Sequence, residues 1–260
     1  MKKFLVIALV FFLNIGADYD EFMKDFYFLG QDKQSNKLYE GWAKTAYIFT
    51  DIIKMERFSA KVYGDTPADI KARRATLKKD NSDIQLQEDV HVESEDRTLQ
   101  TEQLDWQPKE NIATTDKDVL ITQKDLSINA RGLRQDMAEK KMHLEKDIKV
   151  AFQNDSTFTY INCDGPMEID YQQNQAVLHN NVKVSDPQGE IYADTMTLYF
   201  EPEGKTINRV HAVGNVKIVR EDSTTYAEEA NYSFKTQKLT LQGSPRVLIV
   251  TEDRQGNETP

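Results

Sequence analysis

Along most of this chain apolar and polar residues alternate, and the alternation recurs in a fixed frame. The frame is clearest in residues 84–92. Ile84 and Leu86 come first, a polar pair follows, and Val90 and Val92 then continue the alternation in the same phase. A period of two residues is that of a β-strand with one buried face. The arrangement returns five times, in residues 113–121, 142–150, 176–184, 210–218 and 239–247. The pattern predicts six strands with alternate side chains pointing inward.

A second pattern precedes five of the six copies of the first, and its alternation slips by one residue, as in Ile70, Ala72, Ala75 and Leu77. A fixed slip predicts a bulge or corner at which a strand leaves one sheet and enters another. The first pattern has its own corner residues, which tolerate positive φ or suit a turn. These are Glu88-Asp89, Lys117-Asp118, Lys146-Asp147, Asn180-Asn181, Gly214-Asn215 and Gly243-Ser244.

Spacing defines a larger repeat. Matched positions recur every 29 residues in the first part of the chain and every 34 residues later, which predicts about seven hairpin-like units between residues 38 and 250. Turn signals such as Gly165-Pro166 become frequent only after about residue 156. We therefore predict an all-β antiparallel fold with two sub-modules that share one continuous sheet stack.

The N-terminal residues 1–17 combine two lysines, an apolar run from Phe4 to Leu13 and a small-residue end. This is typical of a secretory signal peptide, and an uncleaved inner-membrane anchor is the alternative. In either case we expect an exported protein. Residues 18–37 are expected to form a linker that ends in a first strand, with a short amphipathic segment as the alternative. Residues 252–260 are expected to be disordered.

Charge and cysteine content narrow the function classes. The formal net charge is −10, or −12 without Lys2 and Lys3, whereas phosphate-backbone binding needs a basic stripe. Nucleic acid is therefore excluded as an expected partner. The single cysteine, Cys163, stands where Ala193 stands in the matching segment, so we interpret it as a small inward side chain rather than a reactive thiol.

No local catalytic or metal-binding motif accompanies the repeats. The four histidines fall at different places in different units without metal-ligand spacing, so we expect no metal, no cofactor and no enzymatic activity. Two other classes of protein stay open. One is an exported carbohydrate-active enzyme on a β-helix, although the aligned units stack no carboxylates; the other is a structural or adhesive envelope protein with a filled core.

Several segments carry a family resemblance. Residues 161–171, 179–184, 191–194, 214–218 and 243–247 together resemble the OstA-type domain of the LptA family of lipopolysaccharide-transport proteins. Residues 38–155, which follow a short N-terminal apolar segment, resemble the periplasmic part of the LptC family. The resemblance divides the chain into an LptC-like module at 38–155 and an LptA-like module at 156–251.

The resemblance implies an open, V-shaped β-jelly roll whose interior holds the acyl chains of lipopolysaccharide. It also implies edge-to-edge pairing with other Lpt modules, periplasmic localisation and work supplied by an inner-membrane ABC transporter. The expected groove lining is Ile84, Leu86, Val90, Val92, Met142, Leu144, Ile148, Val150, Leu178, Val182, Val184, Val216 and Ile218. This expectation concerns the face as a set, since for any one of these residues ordinary core packing is favoured over lipid contact.

The last predicted strand is the candidate edge strand, because Pro245 has no N–H to donate to a neighbour. Its expected contact residues are Arg246, Val247, Leu248, Ile249 and Val250. Pairing with another module and a monomer edge protected by the charged tail are both open for this strand.

Overall fold

A computed structural model describes residues 19–31, 34–64, 67–154, 157–201 and 207–249. Every regular element in these residues is a β-strand, and they include no helix that could cross a membrane. The strands are β1 (Glu21–Gln31), β2 (Lys37–Ile48), β3 (Ile52–Val62), β4 (Ala68–Lys78), β5 (Ile84–Ser94), β6 (Thr98–Gln107), β7 (Ile112–Gln123), β8 (Leu126–Asp136), β9 (Lys141–Asn154), β10 (Thr157–Cys163), β11 (Met167–Asp170), β12 (Gln175–Asp186), β13 (Gly189–Phe200), β14 (Ile207–Val219), β15 (Ser223–Ser233), β16 (Lys238–Gln242) and β17 (Arg246–Ile249).

All strands belong to one antiparallel sheet in which neighbours in sequence are neighbours in space. β10 and β11 act as one interrupted strand, because both pair with β9 on one side and with β12 on the other. β16 and β17 form a second interrupted strand beside β15. The sheet therefore runs without a break from β1 to the β16–β17 pair, which are its two edges.

Most strands change register near their middle, and this divides the sheet into two leaves. The shifts fall, for example, between Gln87 and Val90 and between His179 and Val182. The first leaf contains residues 26–31, 37–43, 58–62, 68–72, 90–94, 98–101, 119–123, 126–130, 148–154, 157–163, 182–186, 189–193, 216–219, 223–227 and 246–249. The second leaf contains residues 21–24, 45–48, 52–56, 74–78, 84–87, 103–107, 112–115, 133–136, 141–146, 167–170, 175–179, 195–200, 207–213, 229–233 and 238–242.

The predicted corner residues lie between the leaves, and most of them have the left-handed backbone that such a corner needs. Positive φ occurs at Glu88, Asp89, Asp147, Asn180, Asn181, Gly214, Asn215, Gly243 and Ser244. Lys117-Asp118 differs, because this corner has a register shift without positive φ. There the Thr115 hydroxyl accepts the Lys117 backbone N–H at 3.1 Å and supports the bend instead.

The leaves face each other across a single apolar core. Buried side chains occupy alternate positions on one side of both leaves, as the alternation predicted. Tyr39 in the first leaf and Trp106 in the second have ring centroids 5.1 Å apart, so the inner faces of the leaves are in contact. The predicted all-β antiparallel jelly roll is confirmed.

The expectation of a linker at residues 18–37 is wrong for most of its length, because β1 occupies Glu21–Gln31 and pairs with β2. Asp25 has φ 51° and shifts the phase of the strand, so Phe22 and Phe26 imitate helical spacing although they lie on opposite faces. The predicted leader or anchor at residues 1–17, the predicted disordered tail at 252–260 and Val250 lie outside the described residues.

Candidate lipid-binding interior

The thirteen residues predicted to line a groove lie on the inner faces of the two leaves. Eleven of them are buried, while Val92 and Val184 are partly buried and pack against the same core cluster. The set comes from both leaves, with Ile84 and Leu86 before the β5 corner and Val90 and Val92 after it. The structure therefore gathers these residues into one continuous interior.

The chemistry of this interior is almost wholly apolar. Among the described residues, the buried polar side chains are Thr101 and Thr115, and the core contains no buried charge. The Thr101 hydroxyl donates to the Asp118 carbonyl at 2.9 Å, so its polarity is satisfied within the protein. Such a surface offers acyl chains a medium that resembles hydrocarbon, and it offers a polar substrate almost no partner.

The interior is closed along its middle. Leu86, Leu144 and Leu178 have no exposed surface, which means that the opposing leaf fills the space in front of them. A pocket of about 410 Å³ lies at the edge of the second leaf, but its lining is mainly charged, with Arg134, Lys141 and Glu168 among its residues. Acyl chains could thus occupy the middle of the interior only if the leaves moved apart.

The interior is accessible at its two ends. Val247 and Ile249 on β17 pair with first-leaf residues of β15 whose side chains point inward, yet they are 55% and 69% exposed. At the other end Met23 on β1 lies opposite the fully buried Ala46, yet it is 39% exposed. The apolar face therefore continues to both edges of the sheet and is uncovered there.

Each leaf has a rim, which is the row of turns that connect its strands on the side away from the corners. Between the two ends of the interior, side-chain contacts join the rim regions of the two leaves. Tyr39 in the first leaf packs on Trp106 in the second, and burial raises the pKa of the Tyr39 phenol. Farther along, Arg97 in the turn after β5 donates to the Tyr171 hydroxyl at 2.7 Å. Burial raises the Tyr171 pKa, and the Arg97 charge opposes part of that rise.

Sequence reasoning missed several of these residues. Phe26, Phe28 and Tyr39 pack into the core near β1, and the alternation of Phe26 with Phe28 was the signal that could have shown them. Arg97 and Tyr171 lie in turns and are 74 residues apart, so no local pattern joins them.

The other features singled out in the sequence are the cysteine, possible metal ligands and the last strand. The Cys163 thiol is buried at the end of β10, as its interpretation as a small inward side chain requires, and burial raises its pKa to about 11. Among the described residues no group of three or more His, Cys, Asp or Glu side chains is placed to hold a metal ion. Arg246, Val247, Leu248 and Ile249 form β17, which is an edge strand as predicted and is exposed along its whole length.

Comparisons with known proteins define the class of protein to which this fold and interior belong. The family model described as "Lipopolysaccharide-assembly, LptC-related" matches residues 19–153, and the model described as "LptA/(LptD N-terminal domain) LPS transport protein" matches residues 160–259. The crystal structure of LptH, the LptA-homologous periplasmic component of the lipopolysaccharide transport device of Pseudomonas aeruginosa, is similar at 14% identity. That likeness covers 72% of this chain and 96% of the other, with a TM-score of 0.21. No curated protein matches.

The LptC-related model covers just over half of the chain, and the chain belongs to that lipopolysaccharide-assembly family. An LptA-like domain follows in tandem. Both families are periplasmic and act in lipopolysaccharide transport, so the predicted function is confirmed at this level.

Proposed function

We propose that the interior between the two leaves shelters the acyl chains of lipopolysaccharide while the lipid crosses the periplasm. The observation that carries the proposal is one uncharged inner face, continuous through the described strands and uncovered at both edges of the sheet. Each acyl methylene hidden from water is worth about 0.8 kcal/mol. A lipid with several chains therefore needs continuous shelter to leave a membrane.

Because the middle of the interior is filled by side chains, acyl chains can enter it only by replacing contacts between the two leaves. In the closed chain, side chains of one leaf cover those of the other, so the leaves protect their own apolar surface when no lipid is present. Acyl chains that separate the leaves replace one apolar contact with another. The transfer is then close to neutral in free energy from one strand to the next, and a partner must supply net work.

The proposed route runs from the β1 end to the β17 end. We infer this direction from the apolar run Phe4 to Leu13, which precedes β1 in the sequence: retained as an anchor, the run would hold the β1 end at the inner membrane. We propose that an inner-membrane ABC transporter delivers lipid there, and that β17 pairs with the next Lpt module. Within the chain, residues 38–155 act as the LptC-like part and residues 156–251 as the LptA-like part.

The two tryptophans provide a direct test in the purified protein. Trp106 is buried in the interior, whereas Trp42 is 40% exposed on the outer face. In a Trp42→Phe variant, lipopolysaccharide with brominated acyl chains should quench most of the Trp106 fluorescence, because bromine quenches at contact distance. In the matched Trp106→Phe variant the remaining Trp42 should be quenched little.

Equal quenching of both tryptophans would place the lipid on the outer surface and contradict the proposal. Absence of quenching at Trp106, with the lipid in excess and the fold intact by circular dichroism, would favour a structural envelope protein with a permanently filled core.

A further inference from the structure

One polar contact crosses from one rim to the other where the two family domains meet. Arg97 belongs to the LptC-related part and lies on the rim of the first leaf, in the turn between β5 and β6. Tyr171 belongs to the LptA-like part and lies on the rim of the second leaf, directly after β11. Their contact closes the slit between the rims above the apolar interior.

The contact has a defined geometry. An Arg97 Nη1 hydrogen is donated to the Tyr171 hydroxyl at 2.7 Å, and the guanidinium carbon lies 4.7 Å from the centre of the tyrosine ring. The Tyr171 ring also packs against the core cluster. Stacking and hydrogen bonding together use the planar, forked shape of guanidinium, which lysine cannot reproduce.

A second layer of contacts holds Arg97 in place on its own leaf. Asp96 Oδ1 lies 3.3 Å from Arg97 Nε, and the other oxygen of Asp96 accepts a hydrogen bond from Gln123 at 2.9 Å. Gln123 ends β7, so the next turn of the same rim anchors the arginine. The Arg97 side chain is consequently only 28% exposed, whereas Lys124, the cation at the next turn of that rim, is 82% exposed.

Parting of the leaves must break this contact. Acyl chains between the leaves at the joint would separate Arg97 from Tyr171 and leave the guanidinium without its hydroxyl acceptor, at the slit through which a lipid head must project. A half-buried guanidinium that loses a partner favours an anionic replacement, and phosphate oxygens match its fork in a bidentate manner. The polar head of lipopolysaccharide carries such phosphates.

We propose that Arg97 is a headgroup site that exchanges partners: it holds Tyr171 when the interior is closed and a phosphate of the lipid head when the interior is loaded. The inference rests on the proposed function, because it assumes that the acyl chains lie between the leaves. It adds a phosphate-binding group and a latch at the rim of an interior that is almost wholly apolar.

The test compares the affinity of the full-length protein for bisphosphorylated lipid A and for the same lipid after dephosphorylation. Arg97→Gln should weaken binding of the phosphorylated lipid by about tenfold, the usual effect of losing a charge-assisted hydrogen bond. It should bind the dephosphorylated lipid several-fold more tightly than the wild-type protein does, because the latch to Tyr171 is lost as well. Lys124→Gln removes one positive charge from the same rim and should change neither affinity by more than twofold.

Tyr171→Phe separates the latch from the headgroup site, because it removes the hydroxyl and leaves both the ring and Arg97. This variant should bind both lipids several-fold more tightly and keep the preference for phosphate. Inorganic phosphate at millimolar concentration should not displace the lipid, since a free anion competes only for Arg97 and the acyl chains keep the lipid between the leaves.

Each contrary outcome has its own meaning. If Arg97→Gln lowered the affinity for both lipids equally, Arg97 would have only a structural role. If it lowered neither affinity, Arg97 would not bind the lipid head. Either result overturns the inference. Displacement by inorganic phosphate would show a general anion site and also overturn it. Failure of the wild-type protein to bind either lipid would instead contradict the proposed function.

Discussion

Small side chains lie at the corners where the strands pass from one leaf to the other. Cys163 ends β10 and pairs with Ile148 on β9, just as Ala193 pairs with Val182 at the matching place on β13. Both side chains are buried. A larger side chain at either position would press on the opposing leaf, so size rather than thiol chemistry accounts for the cysteine.

The Cys163 thiol should therefore be slow to react in the folded protein. The thiolate is the reactive species, and burial raises the pKa of this thiol to about 11, so little thiolate exists at pH 8. Reaction with a disulfide reagent at pH 8 should be at least about 100-fold slower in native protein than in urea. The native rate should rise about tenfold per pH unit up to pH 11. A native rate equal to that in urea would show an exposed, activated thiol.

Gly165 should be intolerant of substitution for two reasons. It has φ 100°, and a Cβ there would lie 2.4 Å from the Glu145 carbonyl oxygen of the neighbouring strand. Gly165→Ala should lower the free energy of unfolding by about 3 kcal/mol, from backbone strain plus overpacking. Urea denaturation measures this change.

Gly64 provides the control, because it has φ 120° but no atom lies within 4 Å of the place that a Cβ would take, so Gly64→Ala adds strain alone. Its cost should be about 1–2 kcal/mol. Equal decreases in the free energy of unfolding at the two glycines would mean that the close approach at Gly165 does not contribute to the destabilisation.

The inward residues could be predicted from sequence because a strand side chain has only two directions. Leu86 and Val90 follow that rule on either side of a corner, and both are buried. Alternation does not say what covers the buried face, however, so for Leu86 the sequence leaves both core packing and lipid contact open, and only the structure shows the opposing leaf over it. The contact between Arg97 and Tyr171 depends on how the two rims meet, which no local pattern encodes.

Among the elements, β1 shows where pattern reading fails. The positive φ of Asp25 puts Phe22 on the outer face and Phe26 on the inner face, so the alternation is broken after only a few residues. An edge strand also pairs on one side only, and its exposure is high for that reason. Both features weaken the periodic signal that revealed the central strands.

β17 should be needed for transfer of the lipid rather than for stability. Val247 and Ile249 point toward the interior at its uncovered end, whereas Leu248 on the same strand points outward and is also exposed. Replacing Val247 and Ile249 together with Asp should change the unfolding free energy by no more than about 0.5 kcal/mol per site, as at other exposed positions. Lipopolysaccharide should then accumulate on the chain in cells instead of reaching the outer membrane.

Leu248→Asp is the matched control and should leave transfer unchanged. If it blocks transfer as strongly as the inward pair, then the edge of β17 acts only as a partner-binding strand, and the path of the acyl chains does not pass along its inner face.

At the scale of the whole molecule, the two family domains share one sheet. β9 ends the LptC-related part, β10 begins the LptA-like part, and seven residue pairs from Thr157↔Asn154 to Cys163↔Ile148 join them. No gap in the inner face separates the domains, since Val150 and Ile161 are both buried at this joint. A lipid could therefore pass from one part to the other without meeting water.

Photo-crosslinking in cells would show whether this shared interior carries the acyl chains. A photoreactive residue would replace Leu86, Leu144 or Val216 on the inner faces, or Gln85 or Lys183 on the outer faces. We expect lipopolysaccharide adducts at the three inward positions and none at the outward ones. Absence of adducts at every inward position, in protein shown to be folded and exported, would contradict the proposed function.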